Sequence, residues 1–202
     1  MKAVLISIQP KWVEKIANRE KTIEVRKTAP KQVPFKAYIY CTKDKYEWLY
    51  RVDNNGYGKP QSWHGKVIGE FICDNVIEFE SGFHDDNTTE ELRRVWYDED
   101  DGERDAELFA EDGEPNYLCT KACLTWYELK EYVGIGDRTF YGLHISNLKI
   151  YDKPKELSEF YITCKEKSCQ MCDAEREYDV CAFGRKKPIT RAPQSWQYVE
   201  EL

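Results

Sequence analysis

Short apolar runs that alternate with polar positions dominate the first half of the chain, a pattern of strands more than of helices. Residues 3–8 read as a strand, with Val4, Ile6 and Ile8 on one face and Ser7 on the other. Pro10 suits the first turn of a helix, to which Trp12, Val13 and Ile16 give an apolar stripe. A second strand follows through Thr22-Ile23-Glu24-Val25-Arg26. Successive side chains of a strand point to opposite faces, so Ile23 and Val25 are expected in a core. Thr22, Glu24 and Arg26 then share the other face, with Lys21 at the strand's mouth. Two readings stand: a recognition site, or a solvated polar face with an ordinary Glu–Arg pair.

Further strands are expected over 35–41, over 65–72 after Gly65, and over 140–151, with a turn-rich loop at 53–60. Two helices carry start signals. Asn87-Thr88-Thr89-Glu90 opens one over Leu92, Val95 and Trp96, and the capping box Thr125-Trp126-Tyr127-Glu128 opens another over Leu129, Tyr132 and Val133, stopped at Gly134. From Asp152 onward the pattern reads as a tail. Short helices among antiparallel-looking strands give an α+β class in one domain over 1–202. Glu70 lies between Ile68 and Ile72 on one strand face and needs a partner if buried, for which Arg26 is the candidate.

Charge changes the picture locally. The net charge of −7 is concentrated in 98–114, where ten acids face Arg104 alone and leave the remaining chain at +2. That segment is expected to be a surface loop pinned at most by Leu108 and Phe109. The balance argues against long-duplex binding through many phosphates and fits a small footprint such as a loop, an end or a nucleotide better. No run of apolar residues is long enough to span a membrane. The opening residues read as a strand, not a secretory signal, so a cytoplasmic, reducing setting is expected.

In that setting the eight cysteines point to metal more than to disulfides. Cys164, Cys169, Cys172 and Cys181 supply four thiols within a Cys-rich excursion at 160–185 that has little apolar material of its own. A structural zinc with four thiolates would stabilise such a segment. Free thiols and a Cys169–Cys172 redox pair are the alternatives. Cys41 and Cys73 lie in strand patterns and are expected to be buried small residues. No Gly-rich phosphate loop, His-rich metal motif or G-x-S-x-G elbow is present, and no organic cofactor is expected. His144 reads as a structural histidine sharing a strand face with Ser146. The stretch 190–198 combines Arg191, Gln194 and Ser195 with Trp196 and Tyr198, a set that suits base stacking and hydrogen bonding or, for Trp196, packing at the end of a barrel.

Lys21, Glu24 and Arg26, placed after a strand and helix, resemble the Gly-x-Lys-x-x-Glu-x-Arg signature of the ASCH domain, a relative of the RNA-binding PUA fold. The likeness continues through Tyr38-Ile39-Tyr40, Gly69-Glu70 and the strand from Tyr141 to Ile145, and ends in Pro193-Gln194-Ser195-Trp196, as in phage and bacterial members. The family glycine falls on Arg19, and Asn18 is expected to take the left-handed turn in its place. The resemblance implies a small PUA-like pseudo-β-barrel with flanking short helices. It also implies RNA or a nucleoside as ligand, held by Trp12, Lys21, Glu24, Arg26, Arg191, Gln194 and Ser195. Some small members hydrolyse an acylated cytidine with a Lys and a Thr in this strand, so Lys21, Thr22 and Glu24 are the catalytic candidates if the chain is an enzyme. In those members the Thr stands where Glu24 stands here. A ribonuclease at the same cleft, or a protein-interaction module using the acidic segment, are further alternatives.

Overall fold

A computed structural model describes residues 3–43, 49–52, 58–61, 63–83, 90–97, 104–111, 117–134, 138–163 and 186–202. The fold is α+β, with strands predominating and three short α-helices among the described residues. Two compact units form, one from Met1–Val13, Phe35–Phe71 and Leu148–Leu202, the other from Glu14–Pro34 and Ile72–Asn147.

The first unit is built around β1 (Ala3–Ile8), which pairs in parallel with β3 (Phe35–Cys41) from Ala3↔Lys36 to Ile8↔Cys41. On its other edge β1 pairs antiparallel with β14 (Trp196–Val199). With β6 (Lys66–Cys73) and β11 (Ser146–Glu156) these strands make a five-stranded sheet in the order β11-β6-β3-β1-β14. All six residues of β1 are buried, so both of its faces are covered and the expected polar face at Ser7 does not reach water. The Ser7 hydroxyl is satisfied by donating to the Pro193 carbonyl at 2.6 Å. The core joins Ala3, Leu5, Tyr38, Tyr40, Val67, Phe160 and Ile189, with the Tyr38 and Phe160 rings edge-on at 4.9 Å. Two hairpins complete the unit's strands: β4 (Leu49–Val52) with β5 (Gly58–Gln61), and β12 (Tyr161–Thr163) with β13 (Lys186–Pro188). Part of the expected loop at 53–60 is therefore strand, and the expected tail from Asp152 holds the end of β11, a short 3-10 helix (Leu157–Glu159) and three more strands.

A parallel pair needs a crossover, and the residues between β1 and β3 supply it as α1 (Pro10–Ala17) and β2 (Ile23–Arg26). In the second unit β2 is the edge of a sheet ordered β2-β10-β7-β8-β9, with β10 (Arg138–His144), β7 (Val76–Phe83), β8 (Glu90–Tyr97) and β9 (Arg104–Glu111). Two helices, α2 (Tyr117–Ala122) and α3 (Trp126–Val133), contribute Leu118, Cys119, Ala122, Leu129 and Val133 to a core with Ile23, Val25, Phe79, Leu92 and Phe140. Gly142 lets these layers close. A Cβ there would stand 3.1 Å from Ile23 Cγ2 and 3.2 Å from the Phe79 ring.

The α3 start is the capping box read from the sequence: Glu128 N donates to Thr125 Oγ1 at 3.1 Å and Thr125 N to the Glu128 carboxylate at 3.0 Å. Elsewhere the pattern misled. The helix expected over Leu92 and Val95 is strand β8, and 104–111 of the acidic segment is strand β9 instead of loop. Leu92 and Val95 are both buried, but they pair with Ser81 and Glu78, positions an odd number apart on β7. They therefore lie on opposite faces of the sheet, and a two-sided strand imitates helical spacing.

Candidate functional site

The polar residues of β2 are held in place from both ends. Helix α1 ends in a left-handed cap, but Arg19 takes it, with φ +62°, and Asn18 does not. Glu20 N donates to Lys15 O at 2.9 Å and Arg19 N to Ile16 O at 2.9 Å, the paired bonds that satisfy the last carbonyls of a helix. The Lys15–Glu20 ion pair straps the same turn, and Lys21 follows it directly.

α2 ends the same way. Cys123, at φ +53°, follows the helix, while Leu124 N donates to Cys119 O at 2.9 Å. The carbonyls that remain at this helix end turn to the start of β2: Lys121 O accepts from Thr22 N at 2.8 Å, and Ala122 O accepts from Lys21 Nζ at 2.8 Å. A cation at a helix C-terminus is electrostatically favoured. A residue a hundred positions away in sequence thus fixes the lysine that opens the strand.

Lys21, Glu24 and Arg26 are only 3, 5 and 6% exposed, so the reading of β2's polar face as solvated is overturned. Glu24 is the bridge. Its carboxylate lies 3.3 Å from Lys21 Nζ and 2.9 Å from Arg26 Nη2. Ile23 and Val25 enter the core, as alternation requires. The same alternation puts Leu143, the register partner of Glu24, and Tyr141, that of Arg26, on the polar side. A buried carboxylate between two cations leaves one positive charge in excess, in a setting where each interaction is worth more than in water.

One contributor escaped the sequence reading. Tyr132 was assigned to the apolar stripe of α3, yet it is 39% exposed and its hydroxyl feels the charges of Arg26 and Glu24. Burial of the hydroxyl raises the Tyr132 pKa above the ordinary phenol value, and the nearby Arg26 cation opposes that rise. The Lys27 ammonium stands 5.5 Å from the Tyr132 ring centre. An i to i+3 spacing from Leu129 was the only signal, and it is also a core signal.

The other expected residues are distributed as follows. Thr22 is half-buried and joins the cluster through its backbone. Trp12, Arg191, Gln194 and Ser195 belong to the first unit; Arg191 and Gln194 are exposed, and the Ser195 carbonyl accepts from Ser7 N at 2.9 Å. Glu70 is partnered by Tyr151, whose hydroxyl donates to it at 2.6 Å, and not by Arg26. His144 Nδ1 lies 2.6 Å from Asp74, and this hydrogen bond is the main reason the Asp74 carboxyl is held below its usual range. Cys41 and Cys73 are fully buried, as expected, and burial pushes the Cys73 thiol up to about 12. Cys164, Cys169, Cys172 and Cys181 lie outside the described residues, as do 98–103 and 112–114 of the acidic segment. Among the described residues no group of three or more His, Cys, Asp or Glu side chains could hold a metal, and no helix is long and apolar enough to cross a membrane.

No family model and no curated protein matches the sequence. Solved structures do. The structure of ASCH from Zymomonas mobilis matches at 14% identity with a TM-score of 0.50, covering 99% of this chain and 89% of that one. A Tyr→Phe variant of the same protein matches at 13% identity with a TM-score of 0.48, covering 100% of this chain and 92% of that one. This chain therefore has the fold of that ASCH structure, an α+β architecture.

Proposed function

We propose that the protein binds RNA or a nucleoside at the Lys21–Glu24–Arg26 cluster. The observation that carries the reading is the burial of these three charged side chains as one connected set on the edge strand of the second unit. Holding two cations and a carboxylate out of water is a costly way to stabilise a strand, and the arrangement suits recognition. Lys21 and Arg26 present donors for a phosphate or the acceptor edge of a base. Glu24 accepts from an exocyclic amine, as carboxylates do from cytosine N4. Lys21 donates to a carbonyl and faces a carboxylate, the role of an anchored cation, which favours binding over the alternative in which Lys21, Thr22 and Glu24 perform hydrolysis.

Binding of cytidine and of a short mixed RNA, followed by calorimetry, tests the reading. Lys21→Ala is expected to weaken binding about tenfold or more, since a hydrogen bond from a charged group contributes about 1.5–3 kcal/mol. Unchanged affinity would remove the cluster as the site.

We also propose a structural zinc on Cys164, Cys169, Cys172 and Cys181. Support comes from the flanking hairpin: Thr163 pairs with Lys186, so the segment carrying all four thiols starts and ends at one point of the fold. Four thiolates would leave no open coordination position, which makes the metal a staple and not a catalyst. Elemental analysis of protein purified without chelator should give about one zinc per chain; a content near zero with four titratable thiols would discard the site. Cytoplasmic residence is part of this proposal, because thiolate ligands persist in a reducing compartment.

A further inference from the structure

We propose that the cavity beneath α3 is a second ligand site, which takes a small neutral aromatic molecule carrying one hydrogen-bond acceptor. It shares no lining residue with the Lys21–Glu24–Arg26 cluster and stands independently of the binding reading above.

The site follows from how α3 meets its sheet. Trp126, Leu129, Lys130 and Val133 recur at the spacing of one helix face and line the space between α3 and strands β7, β8 and β10. Leu92 and Phe140 lie on the sheet side, and with Leu129 and Val133 they are buried members of one core. The layers do not close completely. They leave a partly open cavity of about 360 Å³, counting the solvent in its mouth. Apolar-walled cavities of about 150 Å³ take up a benzene ring, so one ring with a short substituent is the size that fits.

Trp126 supplies the chemistry. A tryptophan that meets the surface ordinarily keeps its N–H at a partner or in water and buries its carbon. Here the ring is reversed: the residue is partly exposed, yet its Nε1 is shut off from water and has no acceptor among the described residues. The N–H is therefore turned inward from α3, on the side where Leu129 and Lys130, one turn further along, border the same cavity. Buried donors in folded proteins are nearly always paired. A ligand carbonyl or ring nitrogen in the cavity would pair this one, and a hydrocarbon of the same shape would leave it orphaned. That difference makes the site selective for an acceptor.

The charged residues of the wall select for neutrality. Glu91 is buried, ion-paired with Arg93, and borders the cavity, so an anionic ligand would meet a carboxylate of its own sign. Lys130 borders it too and opposes a cation. A neutral ring escapes both repulsions and the cost of stripping water from its own charge.

Nuclear magnetic resonance of the full chain, labelled on the indole nitrogens and on leucine and valine methyls, reads the proposal. The probes are acetophenone and α-methylstyrene, which share a shape but differ in the carbonyl oxygen. Acetophenone is expected to shift the Leu129 and Val133 methyls and to move the Trp126 indole proton downfield. It should bind about fivefold more tightly than α-methylstyrene, the difference one neutral hydrogen bond makes. Trp126→Phe keeps an aromatic wall without the N–H and should bring acetophenone down to the affinity of the hydrocarbon. Equal affinities of the two probes for the wild type would overturn the site without recourse to any variant. So would a Trp126→Phe protein that keeps the preference, or millimolar acetophenone that leaves the Leu129 and Val133 methyls unmoved.

Discussion

Replacing Glu24 with alanine is expected to lower the stability of the second unit by about 3–5 kcal/mol, the cost typical of leaving a buried charge without its partner. Glu24 lies within ion-pair distance of both Lys21 and Arg26, and all three side chains are at least nine-tenths buried. Its removal leaves two like charges facing each other in a low-dielectric setting. The single cation deletions should cost less. Lys21→Ala leaves Glu24 paired with Arg26, and Arg26→Ala leaves it paired with Lys21, so neither strands a charge completely. The expected order of melting temperatures is therefore wild type, then either cation variant, then Glu24→Ala. Thermal and urea unfolding check it. A Glu24→Ala variant as stable as Lys21→Ala would mean that the cations are satisfied without it, Lys21 by Ala122 O, and that Glu24 is held for ligand chemistry alone. Glu24→Gln sharpens the test, since it keeps the shape and an acceptor while removing the charge.

Much of β2 was legible because alternation is a property of the backbone. Once the residues form a strand, Ile23 and Val25 must part from Glu24 and Arg26. The capping box at Thr125 and Glu128 was legible for the same reason, being closed within four residues. What could not be read is whatever depends on a partner far along the chain. Burial of Lys21 is decided by the carbonyl of Ala122, and nothing local to either residue announces the other. Glu70 was matched to the wrong partner because an acid between apolar neighbours only says that some donor is near; the half-buried carboxylate accepts from Tyr151. The β8 error has a different origin. Leu92 and Val95 are three apart, as in a helix, but each serves a different face of the sheet, and pairing with β7 and β9 overrode the local signal. Arg19 shows the reverse case. The signature's glycine position kept its left-handed conformation while losing its glycine, since the two capping bonds and the Lys15–Glu20 pair over-determine the turn.

Replacing Gly69 with alanine is expected to cost about 1–3 kcal/mol or more, by overpacking, without touching the cluster. A Cβ at Gly69 would lie 2.4 Å from the Lys149 carbonyl oxygen and 3.1 Å from Ile150 Cα. Both obstacles are backbone, so no side-chain rotation relieves them, and β6 must move apart from β11, the edge strand beside it. Both strands carry core contacts of the first unit, through Val67 and Tyr151. Because Gly69 and the cluster belong to different compact units, the folded Gly69→Ala protein should keep wild-type affinity for nucleoside below its own melting range. Glu24→Ala should instead lose both stability and ligand. Measuring melting temperature and affinity on the two variants side by side separates a residue kept for packing from one kept for recognition. If Gly69→Ala melts with the wild type, β6 and β11 are not held as closely as the carbonyl contact requires; if it folds but loses ligand, the binding site extends beyond the cluster on β2.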